Sequence, residues 1–138
     1  MKTAINTYIS ANLELISESL NALAGLELIY IFGSRANNTS SNESDWDIAI
    51  LCNHPLESVE RWDLAQALAN KLGSDVDLID LLQASTVLQM EIVREGFLLK
   101  GDQGEADIFE TKVFSMYGRL QESRSDIVEQ FLDELKDG

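Results

Sequence analysis

Cysteine, histidine and proline are nearly absent from this chain of 138 residues: each occurs once, as Cys52, His54 and Pro55. A single cysteine excludes an internal disulfide, and we expect this thiol to be buried on a strand. One cysteine and one histidine are also too few for a Cys/His zinc site. The fold must therefore be held by an apolar core, for which the apolar content of 45% is sufficient.

Basic residues are scarce as well, with 10 Lys and Arg against 24 Asp and Glu and a formal net charge of −14. Free nucleic acid is a poor partner for such a surface, because its binding depends on neutralising phosphates with Lys and Arg. An acidic surface suits metal ions or a basic protein partner, and it also occurs simply as a solvated surface.

Long apolar runs are missing too. Even runs such as "LIYIF" fall far short of the ~20 residues that a membrane-spanning helix needs. The first 20 residues mix Asn, Glu and Ser into their apolar positions and lack the unbroken apolar core of a secretion signal. We therefore expect a cytoplasmic protein with no membrane partner and no direct nucleic-acid partner.

The spacing of the apolar residues that are present predicts helices and strands in alternation. Apolar gaps of three and four predict helices, and short β-branched runs predict strands. We predict helices over 3–24, 56–72 and 85–95, strands over 26–32, 45–52 and 75–81, and a short edge strand over 97–100. From 105 to about 136 we predict further helices, with a break near 123–125 and apolar positions at Ile108, Phe109, Val113, Tyr117, Leu120, Ile127, Phe131 and Leu135.

This order predicts an α/β (α+β) fold, with a small mixed sheet flanked by helices. The connection between the first two strands is too short for an ordinary helical crossover, so we expect that pair to be antiparallel. We expect the third strand to lie beside the second. The whole chain, 1–138, is predicted to form one domain, with a core over about 25–100 and C-terminal helices over about 105–136.

The stretch "FGSRANNTSSNESDWDIAIL", residues 32–51, carries the most chemical information. Asp45 and Asp47 lie on one face of a strand, because side chains alternate along it. Two carboxylates so close repel each other unless a positive charge lies between them. Mg²⁺ is suited to such a position, since it prefers a few carboxylates, waters and substrate phosphates.

A third acid on the next strand would complete such a site. We favour Asp77, while Asp75 and Asp80 remain alternatives. Three carboxylates converging from two strands could hold two metal ions, which together stabilise the attacking and leaving oxygens of a phosphoryl displacement. Each feature alone has an ordinary structural explanation, because a D-x-D at the start of a strand is common and often only solvated.

The turn after the first strand could supply phosphate ligands. Gly33 allows backbone to approach a phosphate closely, and Ser34 offers a hydroxyl and an amide. Arg35 could contact a phosphate with two hydrogen bonds, although a single arginine is more often an ordinary surface residue.

The string Gly33-Ser34, ten residues, Asp45-Trp46-Asp47 resembles the signature of the nucleotidyltransferase superfamily that includes DNA polymerase β. The chain is similar in size to the minimal nucleotidyltransferases, and the similarity spans roughly residues 25–100. Its size, appended helices and acidity also resemble the MntA-type antitoxins of HEPN/MNT toxin–antitoxin pairs.

The resemblance implies a mechanism and a partner. Asp45, Asp47 and Asp77 would hold Mg²⁺, and Gly33, Ser34 and Arg35 would bind the triphosphate of ATP. A hydroxyl would attack the α-phosphorus and pyrophosphate would leave. In the antitoxin group that hydroxyl belongs to a tyrosine of a HEPN ribonuclease toxin, and the transferred AMP silences it.

Two alternatives remain open from the sequence. One is an enzyme that adenylylates a small molecule such as an aminoglycoside, although such enzymes usually carry a sizeable second domain. The other is an antitoxin that acts by docking alone, which the intact acids disfavour. An adjacent gene encoding a small helical HEPN protein would favour the toxin–antitoxin interpretation.

Overall fold

The computed structural model describes residues 7–36 and 45–137, with side chains described over 10–36 and 45–136. The helices are α1 (Thr7–Leu20), α2 (Ser58–Leu72), α3 (Thr86–Glu95) and α4 (Gln103–Asp137). The strands are β1 (Leu26–Phe32), β2 (Trp46–Cys52), β3 (Val76–Asp80) and β4 (Phe97–Lys100), and a 3₁₀ turn (Gly33–Arg35) follows β1. The expected start of the first helix, at residues 3–6, and the polar loop over 37–44 lie outside the described residues.

The four strands form one mixed sheet in the order β3-β2-β1-β4. β1 pairs with β2 and with β4 in antiparallel fashion, while β2 and β3 are parallel. The expected antiparallel first pair and the expected adjacency of the second and third strands are both confirmed. α2 provides the crossover that a parallel pair requires.

Both faces of the sheet are covered by helices, so β1 and β2 are buried almost throughout. The residues of one face, including Ile29, Ile31, Ile48 and Ile50, pack with apolar side chains of α1 and α2. On the opposite face Leu28, Tyr30, Ala49 and Leu51 pack with Ile92 of α3 and Ala106 of α4. Strand alternation therefore directs Asp47 toward the α3/α4 side. Cys52 is a buried free thiol, as expected.

The C-terminal region differs from the expectation of several helices with a break near 123–125. α4 is one unbroken helix of 35 residues. The segment Ser123-Arg124-Ser125 contains no proline or glycine, and serine costs only a few tenths of a kcal/mol in a helix, so it does not end one. α4 is anchored at its first half, where the Tyr30 hydroxyl donates to Glu110 Oε2 at 2.6 Å and the Tyr30 and Phe109 ring centroids lie 6.4 Å apart.

Among the described helices, none combines the length and apolar character needed to cross a membrane.

Candidate functional site

Two acids face each other across the parallel strands at one end of the sheet. Asp47 of β2 and Asp77 of β3 are Cα partners in the β2–β3 register. The Asp77 side chain is exposed, whereas the Asp47 side chain is half-buried. The parallel alignment therefore brings together two carboxylates that are thirty residues apart in sequence.

The electrostatics at Asp47 are those of a crowded acidic site. Partial burial raises the pKa of the Asp47 carboxyl, and the negative charges of Asp77, Asp45 and Glu91 raise it further, in that order. A cation placed among these groups would reverse the effect of the charges. These acidic side chains therefore favour the binding of a cation.

Asp45 lies just outside the strand that was expected to begin with it. β2 begins at Trp46, whose backbone N–H donates to the Asp75 carbonyl at 2.9 Å, and the Asp45 side chain is exposed. Its negative charge still acts on Asp47. Over residues 7–36 and 45–137, no group of three or more Asp, Glu, His or Cys side chains is already arranged as a metal site.

The turn after β1 lies directly against Asp47. Gly33 has φ +71, a left-handed conformation that favours glycine. A Cβ atom at Gly33 would lie 2.0 Å from Asp47 Oδ2. Glycine is thus required twice at this position, by its backbone conformation and by the carboxylate beside it. Ser34 is half-buried in the same turn.

Arg35 is placed differently from a solvent-facing phosphate ligand. Its side chain is 5% exposed, and its guanidinium carbon lies 4.4 Å from the centroid of the Trp46 ring. Trp46 packs in the α1/α2 side of the core, on the face opposite Asp47. This cation–π contact ties the turn after β1 to the start of β2, and direct phosphate binding by Arg35 stays a prediction.

The two alternative third acids occupy other environments. Asp80 is 4% exposed and its carboxylate accepts hydrogen bonds from Leu56 N (2.8 Å), Leu82 N (3.0 Å) and Gln83 Nε2 (2.6 Å). It therefore holds together the segments that follow β2 and β3. The Asp75 side chain is exposed ahead of β3, and neither residue is aligned with Asp47.

Two neighbours of the site could not be found from the sequence. Glu91 reaches the electrostatic environment of Asp47 from α3, and the Trp46 ring holds Arg35. Glu91 occupies an ordinary exposed position of an amphipathic helix, and only the packing of α3 on the sheet brings it near Asp47. Trp46 is visible within the D-x-D motif, but its partner depends on the tertiary fold.

Known proteins resemble this chain along most of its length. Residues 14–105 match the model of the family described as polymerase beta, nucleotidyltransferase. The chain is 46% identical over 107 residues to the protein adenylyltransferase MntA of Shewanella oneidensis strain MR-1, covering 78% of this chain and 77% of that protein.

Solved structures show the same similarity. A crystal structure of a toxin–antitoxin with AMP-PNP contains a chain with a TM-score of 0.81 and 43% identity, covering 88% of this chain and 98% of that one. A structure of the tri-AMPylated Shewanella oneidensis HEPN toxin in complex with MNT antitoxin matches with a TM-score of 0.77 and 39% identity, covering 90% of this chain and 98% of that one.

Proposed function

The chain belongs to the polymerase beta nucleotidyltransferase family, and from that membership we propose that it is an antitoxin enzyme that transfers AMP from ATP to a tyrosine hydroxyl of a HEPN toxin. The observation that carries the proposal is the alignment of Asp47 with Asp77 beside the Gly33 turn. The similarity to an adenylyltransferase and to antitoxin chains in complexes with toxins supports the choice of acceptor.

Mg²⁺ fits the donor set of this site. Carboxylate oxygens are the ligands it prefers, and a cation would offset both the burial and the neighbouring negative charges that raise the pKa of Asp47. We assign Asp45, Asp47 and Asp77 as the residues that would hold one or two ions. When bound, these ions supply positive charge that neutralises the triphosphate and the charge developing during transfer.

The residues near the acids are assigned to binding the triphosphate and to positioning the turn that binds it. We assign Ser34 and the backbone of the turn at Gly33 to the triphosphate, because glycine permits close approach and the turn presents amide and hydroxyl donors. Arg35 positions this turn through its contact with Trp46. The half-buried carboxylate of Asp47 is close to the turn at Gly33 and aligned with Asp77, and we assign the α-phosphate to this position.

The proposed transfer is a single displacement. The acceptor oxygen forms a bond to the α-phosphorus, the bond from that phosphorus to the bridging oxygen breaks, and pyrophosphate leaves. We assign the exposed carboxylate of Asp77 to receive the acceptor proton before it passes to solvent. The product is an AMP phosphodiester on the acceptor hydroxyl.

The decisive experiment follows the label of ATP onto the toxin. The protein is incubated with Mg²⁺ and its HEPN toxin partner, with ATP labelled at either the α- or the γ-phosphate. Only the α-label should appear on the toxin, and mass spectrometry should locate AMP on a tyrosine. The Asp45→Asn/Asp47→Asn variant should transfer none.

The control for that variant is Glu60→Gln/Asp63→Asn, which also removes two negative charges, but from exposed positions of α2. It should transfer AMP like the unaltered protein. A toxin that stays unmodified although the active protein protects cells from it would overturn the enzymatic proposal in favour of docking alone. Efficient labelling of kanamycin, with none on the toxin, would instead assign a small-molecule acceptor.

A further inference from the structure

The second half of α4 extends beyond the folded domain. We define the distal segment as residues Gln121–Lys136, and every one of them is exposed. A helix of this length extends about 24 Å at 1.5 Å per residue. The first half of α4 contacts the domain: Ala106 and Phe109 pack with residues of the sheet and α3, and Val113 is buried.

The apolar stripe of α4 does not end where the domain ends. At about 100° per residue, the side chains that face the core and those at the corresponding positions of the distal segment share one side of the helix. The stripe runs through Phe109, Val113, Tyr117, Leu120, Ile127, Phe131 and Leu135. Its distal members are largely solvent-exposed: 66% for Ile127, 58% for Phe131 and 60% for Leu135.

Two further side chains widen this surface. Val128 and Leu132 are 55% and 50% exposed, and they lie beside the stripe, so that five large apolar residues occupy about 140° of the helix circumference. Contiguous exposed apolar surfaces of this kind are typical of interaction sites on soluble proteins. The distal stripe therefore has the form of a helix that inserts into a groove.

The charges beside the stripe indicate which occupant fits. Residues 121–136 contain five acidic and two basic side chains, and the whole chain has a formal net charge of −14. A second copy of this chain would bring like charges together along the same helix, which opposes self-association. A partner whose groove is apolar and rimmed with Lys and Arg would meet both the stripe and its acidic borders.

We infer that the distal segment of α4 is the docking helix for the HEPN toxin, which receives it in an apolar groove with a basic rim. This inference rests on the proposed function for the identity of the partner. Arg124 lies within the stripe, between Leu120 and Ile127, so the groove must offer a carboxylate or carbonyl acceptor at that level. Docking and AMP transfer are thus assigned to different parts of one chain.

The test compares two double substitutions of equal charge on the same helix. Ile127→Asp/Phe131→Asp places two carboxylates in the stripe. Ser123→Asp/Gln130→Asp places two on exposed positions outside it. Affinity for the HEPN toxin partner, inactivated at its RNA site, is measured by titration calorimetry. The stripe variant should bind about 100-fold more weakly, while the control stays within about threefold.

Three further measurements separate the possible failures. Circular dichroism should show equal helix content for both variants, and sedimentation of the unaltered chain alone should show a monomer. Unchanged toxin affinity in the stripe variant would overturn the inference, as would a self-associated chain that the stripe substitutions dissociate. The Asp45→Asn/Asp47→Asn variant should bind the toxin normally. Stripe-dependent binding without any AMP transfer by the unaltered protein would refute the proposed activity alone and leave the docking helix standing.

Discussion

Asp47 and Asp77 are direct partners in a parallel ladder, so two carboxylates face each other on neighbouring strands. Like charges placed opposite each other destabilise a sheet by roughly 0.2–1 kcal/mol. The arrangement therefore opposes folding stability and is explained by the chemistry proposed for the site.

Removal of one of the two facing charges should stabilise the metal-free protein while it abolishes transfer. We expect Asp47→Asn to raise the free energy of unfolding at neutral pH by roughly 0.2–1 kcal/mol, since the repulsion is lost. AMP transfer should fall at least about 1,000-fold. Urea unfolding in EDTA and transfer of labelled AMP measure the two effects, and a destabilised variant would contradict the assignment of Asp47 to the site.

Mg²⁺ should raise the melting temperature of the unaltered protein, because a ligand that binds only the folded state stabilises it by mass action. Asp47→Asn/Asp77→Asn should show a much smaller shift over the same Mg²⁺ titration. Glu60→Gln/Asp63→Asn, with two exposed charges removed from α2, should respond like the unaltered protein. Equal shifts in all three proteins would place the bound ions elsewhere.

Gly33 can be tested against a glycine with the same backbone conformation. Gly33 and Gly73 both have φ +71, but a Cβ at Gly73 meets no atom within 4 Å, whereas one at Gly33 would displace the Asp47 carboxylate. The left-handed backbone alone should make alanine cost about 1–2 kcal/mol of stability at either position, and the contact with Asp47 adds to this at Gly33. Gly33→Ala alone should also lower AMP transfer, by about 100-fold, because the acid is misplaced. Similar activity losses in both variants would argue against the contact.

Substitution of Asp80 should lower stability, whereas substitution of Asp77 should lower AMP transfer. Asp80→Ala leaves buried donors without their acceptor, so we expect a loss of about 1–3 kcal/mol in the free energy of unfolding, measured with urea. Asp77→Ala should abolish transfer without lowering stability, since it removes the repulsion with Asp47, and Asp75→Ala should do little to either. A folded Asp77→Ala protein with full activity would show that the third acid lies elsewhere.

Alkaline pH should destabilise the protein through Cys52. Burial, and secondarily the charge of Asp80, raises the pKa of this thiol from 9.0 to about 11. The folded state holds the thiol proton more tightly, so this contribution is complete below pH 9 and is lost as pH rises toward 11. Burial and the hydrogen bond to Glu110 raise the pKa of Tyr30 in the same direction. Cys52→Ala should therefore show a smaller fall in stability between pH 8 and 11, with Tyr30 contributing to the remainder.

The elements of the sheet could be predicted from the sequence because their signals are local. β1 and β4 have the expected bounds, β2 begins one residue later than expected, and β3 is shorter than expected by one residue at each end. The alignment of Asp47 with Asp77 follows from two alternating strands joined by one crossover helix. The unbroken α4 was missed because a break was inferred from two serines, whose small helix penalty the flanking residues overcome.

The surroundings of the site could not be predicted in the same way. The burial of Arg35 over Trp46 and the approach of Glu91 to Asp47 depend on how turns and helices pack across the sheet. No local pattern carries that information. Whether a polar residue next to a motif is exposed or buried therefore depends on the tertiary structure. Ser34 and Arg35 are neighbours, yet one is half-buried and the other is buried.

The distal segment of α4 should make the protection of backbone amides against hydrogen exchange uneven along the chain. Its amides are held only by hydrogen bonds within the helix, so they should open locally, without unfolding of the sheet, and exchange with deuterium long before those of β1 and β2. Exchange should slow progressively from the exposed end toward Ala106. When a partner covers the helix, that gradient should disappear, and the last amides of the chain should become almost as slow as those of its core.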